Sequence, residues 1–228
     1  MKRGKRYIDS IKKYDSSTMY NLKDGIEKVK ELSYSNFVGS LELHADIAIP
    51  KDRDPKSIKG TYTLPHSTEK TDVKIAVFCP SELEKDAKSS GADIVGLDKL
   101  MKDIKTGKID FDIAVATPSV MPQIAVLGKE LGPKGLMPNP KSGTVTNNLK
   151  DTIKEYKEGK QIFACDESGV VHLKIGKLDM DTDKLIENVE VCIKAIEESL
   201  NKPYEQAVKK LYLAPTMGAS VRIGYSKE

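Results

Sequence analysis

The clearest pattern along the chain is the alternation Leu41, Leu43, Ala45, Ile47 and Ile49 against Ser40, Glu42, His44 and Asp46. Period two with one apolar side predicts a half-buried antiparallel strand with one polar face. Upstream, Leu22, Ile26, Val29 and Leu32 recur at helical spacing behind Asn21 and Asp24, which reads as a helix start. A charged turn over Pro50 to Pro55 separates this region from a second strand, Gly60 to Leu64.

From about His66 to Gly159 the rhythm changes. Short buried strands are predicted at Val73–Phe78, Ile94–Val95 and Asp112–Thr117. Helices are predicted at Glu82–Ser89 (capped by Ser81), Leu97–Lys105, Val120–Leu127 and Asn148–Glu158. Strand-helix alternation at this length implies right-handed crossovers and a mainly parallel sheet.

The last third returns to the first style. Gln161–Asp166 and Val170–Ile175 flank Glu167-Ser-Gly169 and read as a hairpin. Asp181 or Thr182 caps a long helix with Leu185, Val189, Cys192, Ile196 and Leu200 on one stripe. Strands follow at Leu211–Leu213 and Val221–Ile223. The simplest assembly combines α/β and α+β classes. A split α+β domain holds both termini (1–66 and 160–228), with an inserted α/β domain at 67–159. The crossings near Pro65–Thr68 and Glu158–Lys160 would form a hinge that permits closing.

Composition narrows the function. The 228 residues are 39% hydrophobic and 31% charged, which is ordinary for a folded domain pair. No apolar run approaches the ~20 residues of a membrane helix, so no membrane partner is expected. The basic N-terminus lacks an apolar segment after it, which argues against a secretory signal. Cys79, Cys165 and Cys192 are widely spaced and odd in number, so they read as buried thiols in a reducing compartment. His44, His66 and His172 are equally scattered, and no metal is expected.

Net charge is only +3, yet the first thirteen residues hold six basic residues against Asp9. A polyanion would therefore be met by local patches such as this basic tail. Arg stands only at Arg3, Arg6, Arg53 and Arg222, which makes bidentate base reading a minor tool.

Enzymatic chemistry finds little support in the residues. Gly135 through Ser142 nearly spells a phosphate loop, but Pro140 replaces the second glycine and Pro138 also falls inside the cradle. Proline offers no N–H and fixes φ, so nucleoside triphosphate binding is rejected. Gly132-Pro-Lys-Gly135 fits the short nucleic-acid-binding pattern G-x-x-G, but so do many loops. A rigid surface loop explains the segment as well. Cys165 and His172 share the predicted hairpin but have no orienting group or oxyanion hole. Asp179, Asp181 and Asp183 alternate without the glycine and terminal Glu of a calcium loop. Phe37 at the mouth of a polar strand suits either core or base stacking. The residues alone leave open an α/β enzyme, a protein-docking module and an RNA-binding protein.

The fourteen-residue run Gly132-Pro-Lys-Gly-Leu-Met-Pro-Asn-Pro-Lys-Ser-Gly-Thr-Val145 resembles the signature of large-subunit ribosomal protein one, the L-one stalk protein family. So do Gly4-Lys-Arg-Tyr7, Lys59-Gly-Thr-Tyr-Thr-Leu-Pro-His66, Asp110-Phe-Asp-Ile-Ala-Val-Ala-Thr-Pro118 and Pro215-Thr-Met-Gly-Ala-Ser-Val-Arg222. These segments occur in family order across the whole chain, and the ending after Arg222 is similar to the bacterial branch. The resemblance implies a split α+β domain with an inserted Rossmann-like domain, and no catalytic activity or cofactor. It implies binding to stalk-region large-subunit ribosomal RNA and help to exit-site transfer RNA as it leaves. It also implies repression of translation from the protein's own messenger RNA. A cytoplasmic protein on the ribosome, monomeric when free of it, is expected. Carried onto this sequence, the family's RNA contacts fall on Phe37, Ser40, Glu42, Thr216, Met217 and Gly218. A second region falls on Asp166, Ser168 and Gly169, and the basic start contributes Lys5 and Arg6. Ser40 stands where Thr is common, and Lys59 where Arg is common, which costs the planar fork.

Overall fold

The computed structural model describes residues 4–15, 18–49, 54–66 and 73–225. The expected tail start, residues 50–53 of the charged turn and residues 67–68 of the first hinge crossing lie outside the described residues. In chain order the elements are α1 (Lys5–Ile11), α2 (Leu22–Leu32), β1 (Ser40–Ile47), β2 (Lys59–Thr63) and β3 (Ile75–Phe78). Next come α3 (Glu84–Ser89), β4 (Ile94–Val95), α4 (Asp98–Lys105), β5 (Ile113–Ala116), α5 (Met121–Ile124), α6 (Gly128–Leu131) and α7 (Leu149–Lys157). The chain ends with β6 (Lys160–Ala164), β7 (Val170–Lys177), α8 (Thr182–Leu200), α9 (Tyr204–Ala207), β8 (Val208–Pro215) and β9 (Val221–Ile223). They form two compact units, one from residues 1–68 and 162–228, the other from 69–161.

The first unit is built on a four-stranded sheet in the order β7-β1-β8-β9, with antiparallel neighbours throughout. The alternation in β1 decides its faces. Leu41, Leu43, Ala45 and Ile47 are buried, while Ser40, Glu42, His44 and Asp46 are partly open. Val171, Leu173, Ile175, Leu211, Leu213, Val221 and Ile223 join the buried face. Against it pack Ile26, Val29 and Leu32 of α2 and the stripe Leu185, Val189, Cys192, Ile196 and Leu200 of α8. Burying such side chains is worth about 1.5–3 kcal/mol each, which makes this layer the main source of stability. One polar residue sits in the stripe. Asn188 is fully buried, accepts from the His66 N–H at 3.1 Å and donates to the carbonyls of His66 and Ile175 at 3.0 and 2.9 Å.

The 161–175 segment keeps the expected hairpin turn, but its two strands pair with other partners. β6 pairs with β2 in a separate two-stranded sheet, while β7 pairs with β1. The turn between β6 and β7 is closed by the antiparallel bridge of Cys165 to Val171 and by the Asp166 N–H, which donates to the Val170 carbonyl at 3.0 Å. The Cys165 N–H donates to Ile58 at 3.0 Å, so long-range pairing on each side pulls the two strands into different sheets. The N-terminus also differs from a simple tail. Its first described residues form α1, whose Ser10 hydroxyl donates to the Leu32 carbonyl at 2.9 Å. At Asp181 the helix α8 begins without a side-chain cap, because that carboxylate pairs with Lys184 at 2.9 Å.

The second unit has a parallel sheet in the order β4-β3-β5. Ala76, Phe78, Ala114 and Ala116 face one apolar cluster with α4, α5 and α6, while Ile75, Val77 and Val115 face another with Ile153 and Tyr156 of α7. This is the expected Rossmann-like layering in small form. Two helix expectations are corrected. Ser81 does not cap a helix; a 3-10 turn over Ser81–Leu83, closed by Leu83 N–H to Pro80, delays α3 to Glu84. The helix read at Val120–Leu127 is broken into 3-10 turns and the short α5 and α6, because Pro118 and Pro122 lack donors and fit only first turns. Among the described residues no helix is long and apolar enough to cross a membrane.

Candidate RNA-binding surface

The site residues inferred from the sequence fall at two ends of one sheet. At the first end, β1 begins beside the end of β8, with Leu41 opposite Pro215. Here Thr216 holds Ser40 from both sides of its backbone. The Thr216 hydroxyl oxygen accepts from the Ser40 N–H at 2.8 Å, and the Thr216 N–H donates to the Ser40 carbonyl at 3.0 Å. Phe37 and Met217 flank this clamp and stand open to solvent at 57% and 49%. Val38, next to Phe37, is 57% exposed as well, so three apolar side chains stand open around the start of β1. The Ser35 hydroxyl donates to the Phe37 carbonyl at 2.9 Å and shapes the approach to the strand.

Gly218 is required by space. A Cβ there would lie 2.5 Å from Pro215 Cγ and 3.5 Å from the Leu32 carbonyl oxygen. The same carbonyl accepts from Ser10, so α1 rests beside the 216–218 turn. Tyr14 strengthens the link by donating to the Ser220 carbonyl at 2.9 Å. Lys5 and Arg6 thus sit on a helix anchored next to the clamp, both exposed. Glu42, two residues into β1, lies between Lys174 and Ala214 on the open face.

Asp166, Ser168 and Gly169 are not part of that cluster. They form the turn before β7, against the far end of β1, where the Ile47 N–H donates to the Gly169 carbonyl at 2.9 Å. At about 3.3 Å per residue, that is roughly 20 Å from Ser40. Gly169 has φ +86, and a Cβ would meet Ile49 Cδ1 at 2.9 Å. The Asp166 carboxylate accepts from the Val170 N–H at 2.7 Å, and this bond, helped by His172 and the Ser168 N–H, holds its pKa below the ordinary carboxylate value. An ionised Asp at a turn orders the backbone and presents acceptors to sugar hydroxyls or base amines.

Between the two ends lies a pair that sequence reading did not find. His44 and His172 face each other across β1 and β7, with their Nδ1 atoms 2.7 Å apart. Only the strand register brings them together, and nothing local in the sequence announces it. Cys165, by contrast, is buried, and burial pushes its thiol up to about 11, which removes the nucleophile from the Cys–His idea. Among the described residues no group of three or more His, Cys, Asp or Glu is placed to hold a metal ion.

The fourteen-residue Gly-Pro run is scaffold in large part. Leu136 and Met137 pack on the second unit's core. The Thr144 hydroxyl accepts from the Asn139 N–H at 2.7 Å, and Tyr156 donates to the Ser142 carbonyl at 2.8 Å. Val145 then bridges to Ala116 in parallel, beside β5.

Residues 29–219 match the model of the Ribosomal protein L1p/L10e family. The chain belongs to this family. Its large relatives are close along nearly their full length. It is 41% identical over 224 residues to the large ribosomal subunit protein uL1 of Rickettsia rickettsii (strain Sheila Smith), covering 96% of this chain and 92% of the relative. It is 39% identical over 231 residues to the protein of the same name in Kosmotoga olearia, covering 99% and 98%. Membership in the L1p/L10e family makes the chain a ribosomal protein and not an enzyme. The sheet, the clamp and the helix α1 all fall in the unit that carries both ends of the chain.

Proposed function

We propose that this protein is a constituent of the large ribosomal subunit in the cytoplasm and binds stalk-region ribosomal RNA through its discontinuous first unit, residues 1–66 and 160–228. The observation that carries this reading is the Ser40–Thr216 clamp framed by exposed Phe37 and Met217. A fixed hydroxyl, an open backbone at Gly218 and two apolar side chains suit an RNA backbone that approaches closely while a base stacks. Lys5 and Arg6 add positive charge beside it, and Ser40 and Glu42 offer partners for sugar hydroxyls. On the ribosome the protein helps transfer RNA leave through the exit site. Free of the ribosome the protein is a monomer, and the same RNA surface binds a mimic of the ribosomal site in its own messenger and represses its translation.

Reconstitution tests the reading. Large subunits stripped of this protein should take up the wild-type chain stoichiometrically and regain exit-site transfer RNA release, while Phe37→Ala with Thr216→Ala should not be retained. Equal retention of the double variant would place the RNA surface elsewhere. Translation of the protein's own messenger should fall on adding excess wild-type protein and not on adding the double variant.

A further inference from the structure

The two ends of the RNA surface are joined by an unbroken line of polar side chains on the open face of the sheet. Glu42 Oε2 lies 3.8 Å from His44 Nε2, and Asp166 Oδ2 lies 3.6 Å from His172 Nε2. Between them the two Nδ1 atoms stand 2.7 Å apart, with the rings edge to face at 4.9 Å. A nitrogen pair at that distance requires one proton between the two atoms, neither zero nor two. Each outer Nε2 faces a carboxylate and is best served by carrying its own proton. The contact holds with two or three protons on the four ring nitrogens, the third filling the outer Nε2 that the neutral pair leaves bare. A further proton would bring two N–H groups head to head and part the rings.

The surroundings agree with this count. On β1 the pair faces Glu42, with Asp46 next along; on β7 Lys174 stands opposite Glu42. On β8 Tyr212 lies opposite His44 and Lys210 opposite Asp46, with Arg222 of β9 beyond Tyr212. Lys209 reaches Asp46 at 4.0 Å. Burial, then the charge of His172, holds the pKa of His44 below its ordinary value, against the pull of Glu42.

We propose that His44 and His172 are positioning residues of the RNA surface: the proton shared by their Nδ1 atoms ties the Asp166 turn to β1 and sets the spacing at which Glu42 and Asp166 meet one RNA. The inference rests on the RNA-binding reading above. It makes RNA affinity fall as the pair takes its last proton, although the protein becomes more positive.

The test uses the full chain, a stalk-region ribosomal RNA fragment and an unrelated hairpin. Ring-nitrogen NMR of the free protein should show one proton shared by the two Nδ1 atoms at pH 7.5, and His44 taking up a further proton below its ordinary value. Two Nδ1 signals with no proton shared between them would overturn the pairing. Wild-type affinity should be level from pH 8 to 7 and drop at least tenfold as His44 takes up that further proton. His172→Asn keeps an amide where Nδ1 stood and does not titrate, so it should bind within threefold of wild type at pH 7.5 and lose the acid drop. His172→Leu should lose tenfold at pH 7.5 with unchanged melting. Affinity that rises steadily on acidification, or wild-type-like binding by His172→Leu, would overturn the positioning role while leaving RNA binding intact. A wild-type chain that fails to prefer the stalk fragment over the hairpin would instead overturn the RNA reading, and this inference with it.

Discussion

Thr216 grips Ser40 through both backbone groups, with its hydroxyl accepting at 2.8 Å and its N–H donating at 3.0 Å. The start of β1 and the end of β8 are thereby fixed as one rigid edge, and Phe37 and Met217 are displayed from it. Thr216→Ala leaves the Ser40 N–H without its side-chain acceptor and frees the turn. RNA affinity should fall by about 1–3 kcal/mol. Titration of the variant against the stalk fragment measures it, and binding within twofold of wild type would remove Thr216 from the site.

Gly218→Ala should disturb the same edge by a different route. The added methyl meets Pro215 Cγ at 2.5 Å, so the turn must move. Overpacking of this kind costs about 1–3 kcal/mol. A lower melting temperature together with weaker RNA binding is expected, and unchanged values in both would show that the turn yields freely.

Asn188→Leu tests the fold apart from the RNA surface. The substitution leaves the His66 N–H and the carbonyls of His66 and Ile175 without their side-chain partner in the interior. A loss of about 2–4 kcal/mol in urea unfolding follows. Loss below half a kcal/mol would mean that water or backbone movement replaces all three bonds.

The Asp166 turn should respond to acid with a defined sign. Its folded pKa is lowered, so its contribution is complete above the ordinary carboxylate value of 3.8 and fades as the pH falls through the lower folded value. Amide exchange at Val170 should therefore be slow at pH 5 and accelerate beyond the intrinsic rate only below 3.8, while Asp166→Asn should show no such transition. A transition near pH 5 in the wild type would contradict the assignment.

The strand β1 and the α8 stripe were legible because one face of each is buried and the other is not, which writes a period into the sequence. The helix read at Val120–Leu127 is helical but interrupted, and its apolar residues do not show the break, which fits the missing donors of Pro118 and Pro122. The hairpin at Glu167–Gly169 was legible at its turn, but its strands part for a long-range reason: Ile58 and β1 claim them separately. The site divides in the same way. Phe37 was conspicuous as an apolar residue before a polar strand. Thr216 and Gly218 came only through family resemblance, since a tripeptide carries no pattern. The His44–His172 contact depends on register between strands far apart in sequence, and no local signal encodes it.

Removing the inserted unit probes which half binds RNA. A chain with residue 66 joined by a short flexible linker to residue 160 retains the whole α2, α8 and four-stranded core. It should keep most of the stalk-RNA affinity. An isolated 67–159 fragment that binds as tightly as the whole chain would reverse the assignment.

The most direct measurement is a titration of the full chain against the stalk-region ribosomal RNA fragment and an unrelated hairpin at two salt concentrations. Recognition by shape and hydroxyl contacts, with few phosphates neutralised, predicts tight and selective binding with a modest salt slope. Weak binding of both RNAs that disappears at the higher salt would mean that only the basic residues of the N-terminus are engaged, and would contradict the account.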